Sequence, residues 1–361
     1  MLIYIDNTIA DYLDEKDFNI QQMDFFARIA SAFYQGKCVV FGDLRSLDAL
    51  FTRLGDPVKS IYKIIRSRNT QSGSIANYVV EAFIISRSGN PSSLSKLPTI
   101  LKGKEKYLSI DEAAGFNWNF GSCLLGENIS DCEFYENIGK HYCRKNKIRG
   151  VQISFHCEHG GGSDTASVLK KCVSIEAIPT LCLSDADIKY GYTKKHGEPS
   201  KGGTFIGINK IAKLLGRRGF SKRFCFYCIP VHEIENLIPL SLLKCFGSDI
   251  CPPEGIANLE ALTKIQNGLP ILFYDFKKGE VIDRETPHGY YWYEIFSQAG
   301  ILNKDGEYCR IGCESLLEHA NSYISENNIC SVIVDTYLEK IWDEIGQLLF
   351  TWGCATTEVR G

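Results

Sequence analysis

Long apolar runs are missing from this chain. No uninterrupted stretch approaches the roughly 18 to 20 residues that a bilayer-spanning helix needs, so a membrane span is not expected. A basic segment followed by an apolar one is missing as well: the sequence opens MLIYIDNTIADYL, with an acid at Asp6. No secretory signal is read there, and a cytoplasmic location is the expectation. An excess of either charge is absent. Lys and Arg total 40 against 43 Asp and Glu, for a formal net charge of −3, so the molecule as a whole is not a polyanion binder and any nucleic-acid contact must come from a local patch. Disulfide density is low too. Fifteen cysteines, an odd number, in 361 residues fall short of a disulfide scaffold, and reduced thiols are expected. Finally, no G-x-x-x-x-G-K-[ST] sequence occurs, so an ATP-driven step would have to come from a second protein.

What is present is an ordinary globular composition, 44% hydrophobic, 23% charged and 12% aromatic, at a length that suggests about two domains. Residues 1–110 alternate strand and helix: a strand at Leu2 to Ile5, a helix near Asp24 to Tyr34 and a strand in KCVVFGD. This reads as an N-terminal mixed α/β domain with a docking or structural role. The run SRSGNPSSLSKLP, Ser86 to Pro98, marks a loop.

From Phe120 the pattern becomes strand (SCLLGEN), helix (DCEFYENIGKHYCRKN), strand (GVQISFHC), glycine loop (EHGGGSD), helix (TASVLKKCVSIEA) and strand (PTLCLSDAD). Continuous apolar strands separated by single helices predict a parallel sheet buried on both faces, a doubly wound α/β core over residues 111–285. Residues 286–361 read as mainly helical, with HGYYWYEIFSQAG, CESLLEHANSYISENN and VDTYLEKIWDEIGQLLFTWG at helical spacing. The aromatic cluster Tyr290 to Tyr293 suits either base stacking or packing of a helix start.

Ligands of such sheets bind beyond the carboxyl ends of the strands, and acids gather there. Glu127 closes the first strand and Asp131 follows at the helix start. Asp185 and Asp187 close the third strand, two residues apart, so in extended chain both carboxylates point to one side. A further strand, FCFYCIPV, runs into HEIENLIP, with Glu233 and Glu235 again spaced by two. A hard cation, Mg²⁺ or Mn²⁺, is suited by such a set. Taken singly, each acid also fits a helix cap or first turn. Between Lys189 and Arg223 stand ten basic residues against one acid, Glu198. Of these, Lys189, Lys194, Lys195, Lys201, Arg217 and Arg218 are the candidate contacts to phosphate. The short cysteine spacings, Cys225 with Cys228 and Cys309 with Cys313, and the run His156, Cys157, His159 are compatible with metal ligation but suit strand and loop positions.

The order of these motifs resembles a Toprim domain, and more narrowly the Toprim nucleases of the overcoming-lysogenization-defect (OLD) type that stand beside ATPases in bacterial antiphage systems. GENISD, with Glu127 and Asp131, looks like the opening Glu-x-x-x-Asp element. HGGGS looks like the glycine loop, SDAD like the Asp-x-Asp and HEIEN like the acidic motif. The usual Glu-Gly is replaced, since Gly126 precedes the acid and Asn128 follows it. The resemblance covers 120 to about 280. It implies Mg²⁺- or Mn²⁺-dependent cleavage of phosphodiesters in DNA or tRNA-like RNA, with a partner ATPase of the ABC/SMC-like type and homo-oligomerisation left open. Lys277 and Lys278, at the end of an aromatic strand in PILFYDFKKGEVI, look like the lysine-bearing strand that follows the acidic motif.

Three alternatives stand beside this one. A Toprim-like subunit that grips nucleic acid or a partner without cutting is the first. A zinc-organised adaptor built on the cysteines is the second. In the third, the opening IYIDN, with Asp6, Asn7, Asp43 and Asp48, resembles the first motif of PIN-type ribonucleases, although no ordered acid set completes it.

Overall fold

The computed structural model describes residues 1–90, 97–188, 202–247, 250–307, 315–327 and 332–357. The chain is an α/β protein built on two four-stranded, all-parallel sheets. The first contains β1 (Leu2–Ile5), β2 (Val39–Gly42), β3 (Ala82–Ser86) and β4 (Glu105–Ser109), in the order β2-β1-β3-β4. All of β1, β2 and β3 is buried, which is why their sequences are unbroken apolar runs. The helix expected from Asp24 begins at Ile20, because Asn19 caps it in a capping box with Gln22.

The second sheet contains β5 (Ser122–Gly126), β7 (Phe155–His159), β8 (Thr180–Ser184) and β9 (Phe224–Cys228), in the order β7-β5-β8-β9. Helices cover both faces. Leu124, Leu181 and Leu183 join the large core with helices Ile129–Lys145 and Thr336–Gly353, while Cys123, Leu125 and Cys182 face Thr165–Ser174 and Gly203–Arg217.

GVQISFHC forms two strands, not the single one expected. β6 (Val151–Ile153) leaves the second sheet and pairs antiparallel with β10 (Cys354–Thr356). The break falls at Ser154, whose amide donates to the carbonyl of Gly353. The chain end thus re-enters the fold: the Thr356 amide donates to the carbonyl of Cys38 and its hydroxyl to that of Phe33, beside the first sheet.

Two further expectations need correction. PILFYDFKK is no strand. Residues Gln266–Phe273 form a tight, kinked 3₁₀ segment in which Asn267 and Gly268 adopt positive φ and Pro270 lacks an amide, and Lys277 and Lys278 sit in the turn that follows. Nor are all cysteines reduced: Cys251 is disulfide-bonded. Cys38, Cys123, Cys172 and Cys182 are free, buried thiols. Among the described residues, no helix is long and apolar enough to cross a membrane.

Candidate metal centre

The site is built at the carboxyl ends of β5 and β8. Glu127 follows β5 directly, and its main chain is fixed by the glycine loop: Gly160 N–H donates to the carbonyl of Gly126 and Gly161 N–H to that of Glu127, each at 2.9 Å. Gly160 has to be glycine, since a Cβ there would lie 2.6 Å from the Gly126 carbonyl oxygen. Asp131 lies in the first turn of Ile129–Lys145, where its Oδ2 accepts from Asn128 N–H at 2.9 Å. It is both a capping residue and a member of the acid cluster.

Beyond β8, the extended chain expected for Asp-x-Asp gives way to a turn. Asp187 has φ 47°, its amide donates to the carbonyl of His232, and Gly202 presses against its carboxylate. A Cβ on Gly202 would stand 1.7 Å from Asp187 Oδ2, so the start of helix Gly203–Arg217 holds this side chain in place. Asp185 Oδ2 accepts from Ile234 N–H at 3.2 Å, which ties the strand end to the HEIEN segment. That segment is a turn leading into a 3₁₀ helix, Ile234–Leu237, capped by Glu233 and Asn236. Asn236 Nδ2 donates to the carbonyls of Ile271 and Tyr274, and so sets the following turn against the acids.

In that turn Asp275 Oδ1 accepts from the amides of Lys277 and Lys278, as an Asx turn does. Lys277 is thereby carried to the carboxylates: its Nζ lies 3.0 Å from Glu235 Oε1 and 3.4 Å from Glu233 Oε2. The Lys278 side chain is exposed and makes no ion pair within 4 Å among the described residues. Behind Lys277, His232 Nε2 lies 3.8 Å from Asp275 Oδ2 and 4.0 Å from Glu233 Oε1. His232, Glu233 and Asp275 offer three ligand atoms within 4.8 Å of one another.

The electrostatics are those of crowded, partly desolvated carboxylates. Burial raises the Glu127 pKa to about 7, with Asp131 and Asp187 adding to the rise and Lys277 opposing it. Burial raises Asp131 to about 6 against the Asn128 amide, with Glu235 adding and Lys277 opposing. Asp185 is raised well above the usual carboxylate range by burial, then by Glu127, Asp131 and Glu235. Burial raises Glu233 as well, with Lys277 opposing. Burial pulls Lys277 down, but Glu235 and Glu233 outweigh it and hold its pKa above the ordinary lysine value. The hydroxyl of buried Tyr135, one turn after Asp131, titrates well above the usual tyrosine range because of burial and the charges of Asp185 and Asp131.

Glu127, Asp131, Asp185, Asp187, Glu233, Glu235 and Lys277 thus come together. The residue set fits a hard cation: Glu235 Oε2 and His232 Nδ1 are buried with no hydrogen-bond partner, and an oxygen-rich cluster around such atoms is what Mg²⁺ or Mn²⁺ takes. Arg217 and Arg218 do not join it. They lie at the far end of a 15-residue helix, about 22 Å from the Asp187 end, where Lys210, Lys213 and Arg217 make an exposed basic stripe. Lys222 pairs with Glu112, and Arg223 stacks on Phe116. Lys189, Lys194, Lys195 and Lys201 lie outside the described residues. Of the aromatic cluster, Trp292 is core and Tyr290 half-exposed.

Sequence reasoning missed His232, Asp275, Asn236 and Gly202. The first two stand inside motifs already singled out, HEIEN and FYDFKK. The roles of the other two depend on contacts across the fold. In comparisons with protein-family models, curated proteins and solved structures, none matches this chain.

Proposed function

We propose that the chain is a divalent-metal-dependent nuclease of the Toprim type, with a doubly wound core like that of the overcoming-lysogenization-defect proteins, which hydrolyses phosphodiester bonds in DNA or structured RNA. The observation that carries this reading is the convergence of six carboxylates and Lys277 at the ends of β5 and β8, with Glu235 Oε2 buried and without a hydrogen-bond partner. Glu127, Asp185, Asp187, Glu233 and Glu235 are the residues that would hold the ions. Bound Mg²⁺ or Mn²⁺ would supply polarisation of a phosphoryl oxygen and acidification of a water. Lys277 places an ammonium where negative charge builds on the phosphate, and Glu233 and Glu235 keep it protonated and aimed. Asp131 holds the helix start against Glu127. The exposed stripe Lys210, Lys213 and Arg217 gives the nucleic-acid backbone a track leading away from the centre. Action in antiphage defence beside a partner ATPase belongs to the same reading and rests on the motif resemblance and on the missing Walker A sequence.

The test is incubation of purified protein with plasmid DNA and with total tRNA in Mg²⁺ or Mn²⁺, beside EDTA and a Glu127→Gln, Asp185→Asn double variant. Cutting that needs metal and disappears in the variant is the expected result, and it selects the substrate. Intact DNA and tRNA with every metal, alongside metal-independent binding of both, would overturn hydrolysis in favour of a subunit that binds without cutting.

A further inference from the structure

The turn that carries Lys277 is closed by a side chain from outside the acidic cluster. The Lys277 side chain is 52% exposed, so packing alone does not fix its ammonium, and the backbone from Asp275 to Glu280 has to. That segment is a ring of hydrogen bonds. Asp275 Oδ1 accepts from the amides of Lys277 and Lys278, and Gly279 N–H donates to the carbonyl of Asp275 at 2.8 Å. Glu280 completes the ring by turning back on its start, where its Oε1 accepts from Asp275 N–H at 3.0 Å.

Glu280 is 5% exposed, and a carboxylate so buried needs partners for its oxygens. The second oxygen has one: His288 Nε2 lies 2.7 Å from Glu280 Oε2. His288 is the second residue of helix Pro287–Ala299. The start of that helix is fixed by the Thr286 hydroxyl, which accepts from Gly289 N–H at 3.1 Å, and by Gly289 itself, where a Cβ would lie 2.2 Å from the carbonyl oxygen of Asp283. One turn on, the core residue Trp292 stands edge-on both to the His288 ring and to Tyr274, with centroids 6.4 and 5.8 Å apart. Tyr274 immediately precedes the ring of hydrogen bonds and Glu280 ends it. A single helix thus clamps the lysine turn at both ends, through Trp292 and through His288.

We propose that Glu280 and His288 are positioning residues for Lys277, an inference that rests on the nuclease reading and adds to it the device that aims its lysine. The pair acts on the ammonium through the Asp275 amide and the backbone of the turn. With Glu280 removed, Asp275 N–H loses its acceptor and the ring opens at its first residue. Lys277 Nζ is then no longer held 3.4 Å from Glu233 Oε2 and 3.0 Å from Glu235 Oε1. With His288 removed, the buried Glu280 carboxylate loses the partner that keeps it turned toward Asp275.

The experiment takes two readouts from the full chain. Cleavage of plasmid DNA and of total tRNA in Mn²⁺ is measured for wild type, Glu280→Ala, Glu280→Gln and His288→Ala, each also combined with Lys277→Met. Separately, in EDTA at mildly alkaline pH, acetylation of Lys277 by acetic anhydride is followed by mass spectrometry with Lys278 as the internal reference. Glu280→Ala is expected to lower kcat about tenfold with KM unchanged, and to lower it no further once Lys277 is replaced, because two residues that act through one contact are not additive. Glu280→Gln keeps the oxygen that accepts from Asp275 and is expected to recover most of the loss. Lys277 is expected to acetylate about tenfold faster in Glu280→Ala and His288→Ala, as a fall of about one pKa unit in a released ammonium implies. If Glu280→Ala does not fold, His288→Ala, at a side chain nearer the surface, supplies both readouts. An equal loss of kcat in the Lys277→Met background, or an unchanged Lys277 acetylation rate in the variants, overturns the positioning pair. A wild type that cuts neither substrate overturns the nuclease reading instead, and the acetylation rates still decide whether Glu280 and His288 hold the lysine.

Discussion

Raising the pH of the metal-free protein should destabilise it through a range in which most proteins gain stability. Glu127 goes from an ordinary 4.5 to about 7 in the folded state, and each pKa unit of difference is worth about 1.4 kcal/mol. At full weight that is about 3 kcal/mol, and partial solvent access reduces it to about 2 kcal/mol. The sign follows from the raised value. Below pH about 4 the carboxyl is protonated in both folded and unfolded chains and costs nothing. Between about 4.5 and 7 the unfolded chain releases its proton first, so stability falls as pH rises and stays low above about 7. Asp131, raised to about 6, acts in the same direction, but the two are coupled and their effects do not add. Urea or thermal unfolding of wild type and Glu127→Gln from pH 4.5 to 8 in EDTA measures the difference. Wild type should lose about 2 kcal/mol relative to the variant, or about 3 °C in Tm at this chain length. Mg²⁺ at a hundred times its Kd should restore about 2.7 kcal/mol to wild type and less to the variant. Parallel pH profiles for the two proteins in EDTA would refute the reasoning, as would a profile that Mg²⁺ leaves unchanged.

Three more outcomes are expected. Lys277→Met should lower kcat for cleavage about a hundredfold while retaining bound metal, which a Mn²⁺ titration checks, because the ammonium beside Glu233 and Glu235 is placed for the phosphate. Gly202→Ala should abolish cleavage, since its Cβ would occupy the space of the Asp187 carboxylate; activity with the far-UV circular dichroism spectrum retained separates displacement of Asp187 from misfolding. Trp342→Ala should cost about 3–5 kcal/mol in unfolding free energy, because the indole is 2% exposed and donates through Nε1 to the carbonyl of Leu237, beside the acidic turn.

Much of the fold was legible in the sequence because fully buried parallel strands leave a simple trace. LIYI, VVFG, SCLLG and TLCLS are continuous apolar runs, and each is a strand. FYDFKK misled for a related reason. Aromatic residues suit strands, but Asn267, Gly268 and Pro270 just upstream impose a kinked turn, and the aromatic side chains are buried by tertiary packing instead of by a ladder. The split of GVQISFHC was not legible, because it depends on β10, two hundred residues away. In the site, acids adjacent in sequence to a strand end could be picked out by spacing. The contribution of Asp275 could not, since its relation to His232 and Glu233 is made by the packing of residues 231–237 against 271–274.

The helix Thr336–Gly353 gives the molecule a rigid strut. Its 18 residues span about 27 Å. Near one end Trp342 holds the backbone of Leu237. At the other, Thr351 accepts from Val80 N–H in front of β3, Trp352 meets Phe83 edge-on and β10 runs on beside Cys38. A single core runs through both sheets along this strut. One continuous helix therefore touches both the first sheet, through Phe83, and the acidic turn, through Leu237, so the two ends of the fold share a single packed element.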